Sequence, residues 1–379
     1  MKKKILVVFG TRPEAIKLAP VIHELHKSSY GLVPRVCVTA QHREMLDQVL
    51  RIFKVHVDYD LDLMQRGQTL EDITSRVVLG MRKVLAHEKP DMMVVQGDTT
   101  TTFAAALAAF YQGVPVAHVE AGLRTWQKRS PFPEEVNRVL TTHLTDLHFP
   151  PTKQSMENLL REGVEPSRIR VTGNTVIDAL FHIIRDVRAA HKAFEREFRT
   201  IDFSKRMILV TGHRRENFGP GFLNICEAIR TLAQSDDGLE IVYPVHLNPN
   251  VQTPVRTILA GLGNVHLLEP LEYRPFLFLM DRSYLILTDS GGVQEEAPSL
   301  GKPVLVMRNH TERPEAVRAG TVRLVGTDRD TIVRNVRRLL RDRTVYLRMS
   351  RAHNPYGDGK SSPRIVKAIR KYLISRDER

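Results

Sequence analysis

Leu285-Ile-Leu-Thr-Asp289-Ser290-Gly291-Gly292-Val293-Gln-Glu-Glu296 reads as a strand, a turn and the opening of a helix. The strand is apolar without alternation, the pattern of a strand buried on both faces in a parallel sheet flanked by helices. The Ser-Gly-Gly turn leads into a helix over Val293–Leu300, and glycines there let backbone N–H groups approach a phosphate at the positive helix end. The same pattern starts the chain. Lys4–Phe9 is an apolar strand, Gly10-Thr-Arg12 the turn, and Pro13 stands at a favoured first helical position.

Working outward, Val33–Thr39, Met92–Gln96 and Val114–Val119 are further strands, alternating with helices over Pro13–Lys27, Arg43–Phe53, Thr69–His87 and Thr100–Tyr111. Arg168–Thr172 reads as a strand and Thr175–Phe194 as one long helix. The pattern then restarts with strands at Met207–Val210, Glu240–Val245, Val265–Leu268, Leu285–Leu287, Val304–Val306 and Val322–Val325. The expected fold is α/β, with two Rossmann-like doubly wound domains facing across a cleft. They span 1–173 and 174–360, and 361–379 is a C-terminal helix packing back on the N-terminal domain.

A chain of 379 residues exceeds what one hydrophobic core usually organises. Its 42% hydrophobic and 26% charged residues exclude a disordered, collagen-like or disulfide-scaffold protein. Cys37 and Cys226 are far apart in apolar surroundings, which suits a reducing, cytoplasmic setting. The uncharged stretch Thr99–Ala117 is broken by Gln112, Gly113 and Pro115, so no membrane span is expected, and the basic start Met1–Lys4 runs directly into a strand instead of a signal peptide.

The net charge of +13 raises the question of a nucleic-acid partner. Residues 301–379 carry 20 lysines and arginines against 8 acids, nearly all of the surplus. Yet Ile332, Val333, Val336, Leu339 and Leu340 recur at helical spacing with arginines opposite, which describes a solvated helix face. No nucleic-acid partner is expected.

In open α/β sheets, ligands bind beyond the carboxyl ends of the strands. Five such ends are polar: Gly10-Thr-Arg-Pro-Glu14, Gln96-Gly-Asp98, His118-Val-Glu120, Thr211-Gly-His213-Arg214-Arg215 and Asp289-Ser290-Gly291-Gly292. Asp98, Glu120 and Glu134 supply three carboxylates, the groups acid–base work near neutral pH requires. Arg12 and Lys17 bracket a helix start, where an anion would offset them, and His213 with its neighbouring arginines suits a diphosphate. Glu296, one turn into its helix, suits ribose hydroxyls.

Absences narrow the chemistry. No Gly-x-Gly-x-x-Gly occurs, so no dinucleotide cofactor is expected. Gly359-Lys360-Ser361 resembles the end of a phosphate loop, but Asn354 stands where its first glycine belongs. His23 and His26 lack a third ligand, and no metal is expected.

Ten strings in order carry a resemblance: GTRPEAIKLAP, AQHREMLDQVL, VVQGDTTTT, HVEAGLRT, SPFPEEVNR, GNTVIDAL, TGHRRENFG, YPVHLNPNV, LTDSGGVQEEAPSLGKPVLVMR and TERPEA. Together they resemble the non-hydrolysing UDP-N-acetylglucosamine 2-epimerases over nearly the whole chain. The resemblance implies a GT-B fold and interconversion of UDP-N-acetylglucosamine and UDP-N-acetylmannosamine without cofactor, for surface polysaccharide synthesis by a homodimer. It implies Asp98, Glu120 and Glu134 as acid/base groups and His213 as the essential histidine. Arg12, Lys17 and Arg215 would bind substrate, Leu271 and Phe276 would flank uracil, Ser290, Gly291 and Gly292 would hold the diphosphate, Glu296 the ribose, and Arg313 a polar edge. At 271 many relatives carry Gln. Some bacterial members bind a second substrate molecule as activator. Gln41, Arg66 and His246 match that pattern, while Glu44 stands where some of those members have Gln. A hydrolysing epimerase and a GT-B glycosyltransferase are the alternatives.

Overall fold

The structure is a computed structural model and describes residues 2–39, 43–63, 65, 67–311 and 313–378. The chain forms two compact units, Met1–Ala179 with Tyr356–Arg379, and Leu180–Pro355. The first crossing thus falls inside a helix, Thr175–Ala189, and not at the loop Gly173-Asn174.

Among the described residues, strands β1 (Lys3–Phe9), β2 (Leu32–Val38), β3 (Tyr59–Asp60), β4 (Met92–Gln96), β5 (Val116–Val119) and β6 (Leu147–Phe149) form the sheet of the first unit. Strands β7 (Arg206–Thr211), β8 (Leu239–Pro244), β9 (Val265–Leu268), β10 (Leu285–Thr288), β11 (Val304–Val306) and β12 (Val322–Leu324) form that of the second. All neighbouring strands run parallel. The orders are β3-β2-β1-β4-β5-β6 and β12-β11-β10-β7-β8-β9, one and the same order counted from each unit's first strand. The expected pair of doubly wound Rossmann-like sheets is therefore present. In this topology the strand order reverses between β1 and β4, and between β7 and β10, and the loops leaving those strands flank the switch point where ligands bind.

The apolar centre of each sheet is its buried core. Ile5 to Phe9 of β1 and Leu285 to Leu287 of β10 are at most 1% exposed. No helix among the described residues is long and apolar enough to cross a membrane.

Three local readings are corrected. Arg168–Thr172 forms no strand; Ile169 makes a lone parallel bridge to His148, and the sheet edge belongs to the three-residue β6. Arg168, Arg170 and Val171 are exposed, so little burial draws that segment into the sheet. The helix expected over Thr175–Phe194 is two, Thr175–Ala189 and His191–Glu197, broken at Ala190. The helix after β10 covers Gly291–Glu296 and tightens into a 3₁₀ turn at Ala297–Leu300, because Pro298 removes an N–H from the ladder.

His118 on β5 and His148 on β6 face each other in register and are essentially inaccessible. Burial pushes their imidazoles down to about 4 and about 3. Both are neutral in the folded chain, while the unfolded chain protonates them near 6.5. Their contribution is complete above pH 6.5 and is lost as pH falls, by about 1.4 kcal/mol per pH unit for each histidine until its folded value is reached. Urea titrations from pH 7 to pH 5 should show this decline, and His148→Leu should flatten it. An unchanged slope in that variant would refute the assignment.

Candidate active site

In the first unit the loop after β1 is built around a residue not singled out from sequence, Glu14. Thr11 caps the helix Arg12–Leu25 and Glu14 answers it in a capping box. Glu14 Oε2 accepts from Gly10 N (3.1 Å), Thr11 N (2.8 Å) and Thr11 Oγ1 (2.7 Å). Its Oε1 accepts from Thr99 Oγ1 (2.8 Å) and Thr102 Oγ1 (3.1 Å) in the loop and helix after β4. One buried carboxylate thereby ties together the two loops at the switch point. Burial raises its proton affinity, and these donors oppose that rise. Gly10 is required beside it, since a Cβ there would lie 2.3 Å from Thr39 Oγ1.

Glu120 follows β5 with φ +62°, a left-handed conformation that costs a non-glycine residue energy and concentrates at functional sites. Its carboxylate is 5% exposed and fully engaged. Lys17 Nζ donates to Oε1 (2.7 Å) and Oε2 (2.6 Å), Gln96 Nε2 to Oε2, and Asn174 Nδ2 to Oε1 (3.3 Å). Lys17, expected on the substrate, here holds Glu120.

Asp98 does not cap the helix after β4; Thr99 does. Asp98 Oδ2 instead pairs with Arg138, at 2.7 Å from Nη2 and 2.9 Å from Nε. Arg138 also reaches Glu135 (2.9 Å), which accepts the backbone N–H groups of Thr125 and Trp126. Glu134 begins the helix Glu134–Leu144, and its Oε2 is buried without a hydrogen-bond partner. Asp98 and Glu134 line one cavity of about 460 Å³ with Thr11, Thr99 and Asn137. Glu120 is not among its lining residues. Arg12, the first residue of the helix that Thr11 caps, is half-buried.

In the second unit the organising residue is Asp289, fully buried at the end of β10. Its Oδ2 accepts from the backbone N–H groups of His213 and Arg214 (2.9 Å each) and from Asn217 Nδ2 (3.3 Å). The loops after β7 and β10 are thus joined by one carboxylate, as Glu14 joins those after β1 and β4. His213 Nδ1 lies 3.4 Å from Asp289 Oδ1, and the ring stacks on His246 at 5.4 Å. Burial holds the imidazole below its ordinary value; Asp289 opposes this, and His246 and Arg214 add to it. Arg215 is exposed at the start of a 3₁₀ turn.

Ser290 caps the helix Gly291–Glu296 without using its side chain on it. A Cβ on Gly291 would sit 2.5 Å from the Arg313 guanidinium, whereas one on Gly292 would meet nothing within 4 Å. Arg313 is held by Glu295 (2.7 Å), and Glu296, buried, accepts from Tyr273 OH (2.7 Å). Leu271 and Phe276, both half-buried, flank Tyr273 at the start of the helix Tyr273–Arg282. Of the residues matched to an activator site, Gln41 and Arg66 lie outside the described residues, as does the side chain of Glu44; His246 is exposed against His213.

The family model described as UDP-N-acetylglucosamine 2-epimerase matches residues 23–370. The chain belongs to the UDP-N-acetylglucosamine 2-epimerase family. It is 59% identical over 375 residues to the Escherichia coli K12 UDP-N-acetylglucosamine 2-epimerase, covering 98% of this chain and 100% of that protein. It is similar to the crystal structure of the Neisseria meningitidis UDP-GlcNAc 2-epimerase bound to UDP-GlcNAc, with a TM-score of 0.89 and 51% identity over 97% of this chain and 100% of that one. A more distant epimerase, from Methanocaldococcus jannaschii in complex with UDP-GlcNAc and UDP, is 35% identical with a TM-score of 0.79, covering 97% and 99% of the two chains. Glu14, Glu135, Arg138, Asn174 and Asp289 hold these loops and carboxylates in place, and sequence reading assigned none of them a role. Each lies within a string already quoted; the acids and amide stand at a loop or helix start, and Arg138 lies one turn into the helix Glu134–Leu144, which is the signal that was available.

Proposed function

We propose that the chain interconverts UDP-N-acetylglucosamine and UDP-N-acetylmannosamine by eliminating and re-adding UDP. The observation that carries this is a pair of carboxylates at one cavity: Asp98 and Glu134 both line it, and Glu134 has a buried oxygen free of protein partners. The hydrogen on carbon 2 of the sugar is not next to a carbonyl. Breaking the carbon 1–oxygen bond sends the electron pair out with UDP and gives carbon 1 oxocarbenium character, which acidifies that hydrogen. A carboxylate takes the proton, a carbon 1–carbon 2 double bond forms, and the product is 2-acetamidoglucal. Protonation at carbon 2 on the opposite face and return of UDP to carbon 1 complete the inversion.

Glu134 is our candidate for a proton carrier, since Asp98 is paired with Arg138 and Glu120 with Lys17. In the second unit, Ser290, Gly291 and Gly292 with Arg313 hold the diphosphate, Glu296 the ribose, and Leu271 and Phe276 the uracil. Arg12, Arg215 and His213 stabilise the departing charge, because preorganised donors act most strongly where charge develops. The enzyme acts in the cytoplasm as a homodimer and supplies surface polysaccharide synthesis, with His246 part of an activator site that includes Gln41, Glu44 and Arg66.

Incubation with UDP-N-acetylglucosamine alone tests the reading. UDP-N-acetylmannosamine should appear until the two epimers reach equilibrium, with deuterium entering carbon 2 in heavy water. Free N-acetylmannosamine with stoichiometric UDP would replace it with a hydrolysing enzyme, and no reaction would favour a glycosyltransferase.

The diphosphate placement has its own test. Because a side chain at 292 enters open space, Gly292→Val should melt within a few degrees of the parent while UDP affinity falls by about tenfold or more. Unchanged affinity by calorimetry in the folded variant would remove Gly292 from the diphosphate site.

A further inference from the structure

Asn174 is 2% exposed and sits just before the helix Thr175–Ala189, five residues ahead of the chain's first passage between units. Its amide has a defined orientation. Oδ1 accepts from Val176 N at 3.0 Å, so Nδ2 is the end that faces Glu120, donating to Oε1 at 3.3 Å. Its backbone N–H donates to Tyr356 O at 2.6 Å, and Tyr356 is the first residue after the chain's return passage. Gly173 makes this approach close: at φ +90°, a Cβ there would lie 2.7 Å from Ser361 Oγ and 3.2 Å from Tyr356 O.

Three donors thus frame the Glu120 carboxylate. Lys17 bridges both oxygens, Gln96 holds Oε2, and Asn174 holds Oε1. Two opposed amides on a lysine-bridged carboxylate fix its plane, which a single ion pair leaves free to rotate. Gln96 ends β4 and Lys17 lies on the helix that follows β1, so both belong to the αβ scaffold of the first unit. Asn174 belongs to the paired segments where the chain leaves the first unit and returns.

We infer that Asn174 is a positioning residue for the reaction, setting the plane of the Glu120 carboxylate and linking it to the two segments that lead to the second unit. The inference rests on the reading of Glu120 as an acid/base group.

Asn174→Asp removes this donor. Aspartate keeps the acceptor for Val176 N and is at least as good at a helix start, but it cannot donate to Glu120 and sets a second carboxylate against it. Three measurements are made on the full-length chain: thermal melting, UDP affinity, and turnover of UDP-N-acetylglucosamine. The variant should melt earlier than the parent, because a second carboxylate is buried against Glu120, while UDP affinity holds, kcat falls by about tenfold or more and KM changes little. The same substitution is then placed in Glu120→Gln. There the glutamine amide can donate to the new carboxylate, so the pair is satisfied again in the reverse sense. Asn174→Asp should then lower the residual rate by less than about twofold, the non-additivity expected of two groups acting as one.

An equal fall in both backgrounds, or no fall in the parent, would overturn the inference while leaving the epimerase reading in place. A parent chain that does not epimerise would overturn both. If Asn174→Asp fails to fold, Asn174→Ser, which retains a short acceptor for Val176 N, is carried through the same cycle with the same deciding outcomes.

Discussion

Glu134→Gln should bind UDP as tightly as the parent and lose turnover by about two orders of magnitude or more, the usual scale for a general acid–base group. The amide keeps the size and shape of the side chain and removes only its ability to take a proton. Glu134 Oε2 is buried with no protein partner, so no ion pair is broken by the exchange and the fold should be untouched. Asp98→Asn and Glu120→Gln should also lose turnover on that scale, but with structural side effects. Each leaves a cation behind, Arg138 in one case and Lys17 in the other, and both variants should melt earlier than Glu134→Gln. In heavy water the parent should wash deuterium into carbon 2 of both epimers, and a variant whose carboxylate handles that proton should lose exchange together with turnover. Normal exchange in Glu134→Gln would reassign it to assisting UDP departure. If all three variants exchanged normally, the base would have to be sought elsewhere, with His213 next.

The architecture was legible because its signals are local. An uninterrupted apolar strand such as Ile5–Phe9 can only be buried on both faces, and the repeat of strand, polar turn and helix in each half specifies a doubly wound sheet. Edge strands were less legible. Tyr59–Asp60 and Leu147–Phe149 are too short to carry a period, and His148 sits in a core with no pattern to announce it. At the candidate site, sequence reading picks out groups with weak structural excuses. Glu120 follows an apolar strand and precedes Ala-Gly, whose Gly122 is itself at φ +87° and packed against Ser155 O. What sequence did not reveal is pairing over distance. Glu14 reaches Thr99 across 85 positions and Asp289 reaches His213 across 76, contacts that exist only once the sheet has brought two loop ends together. The Lys17–Glu120 pair is of the same kind, spanning 103 residues.

Arg138 shows what such a distant pairing does for the molecule. Its guanidinium is 13% exposed and joins Asp98 at 2.7 Å to Glu135 at 2.9 Å, and Glu135 in turn holds the backbone N–H groups of Thr125 and Trp126. Trp126 is at φ +62°, so that loop keeps a strained shape that the buried Glu135 carboxylate stabilises. Arg138→Met fills the space but leaves two carboxylates without a counter-charge, one of them nearly inaccessible. Removing one partner of a buried pair typically costs about 3–5 kcal/mol. In a unit of this size that corresponds to a fall in melting temperature of roughly 10 °C. Turnover should fall as well, since Asp98 loses the group that aims it into the cavity it shares with Glu134. Arg138→Lys separates the two effects. An ammonium retains the charge but lacks the planar fork that reaches both acids at once, so stability should recover in part while turnover stays low. Urea unfolding and epimerisation rates on the two variants decide the matter. An Arg138→Met chain as stable as the parent would mean that the Asp98–Arg138–Glu135 chain contributes no net stability, and full activity in Arg138→Lys would mean that charge alone orients Asp98.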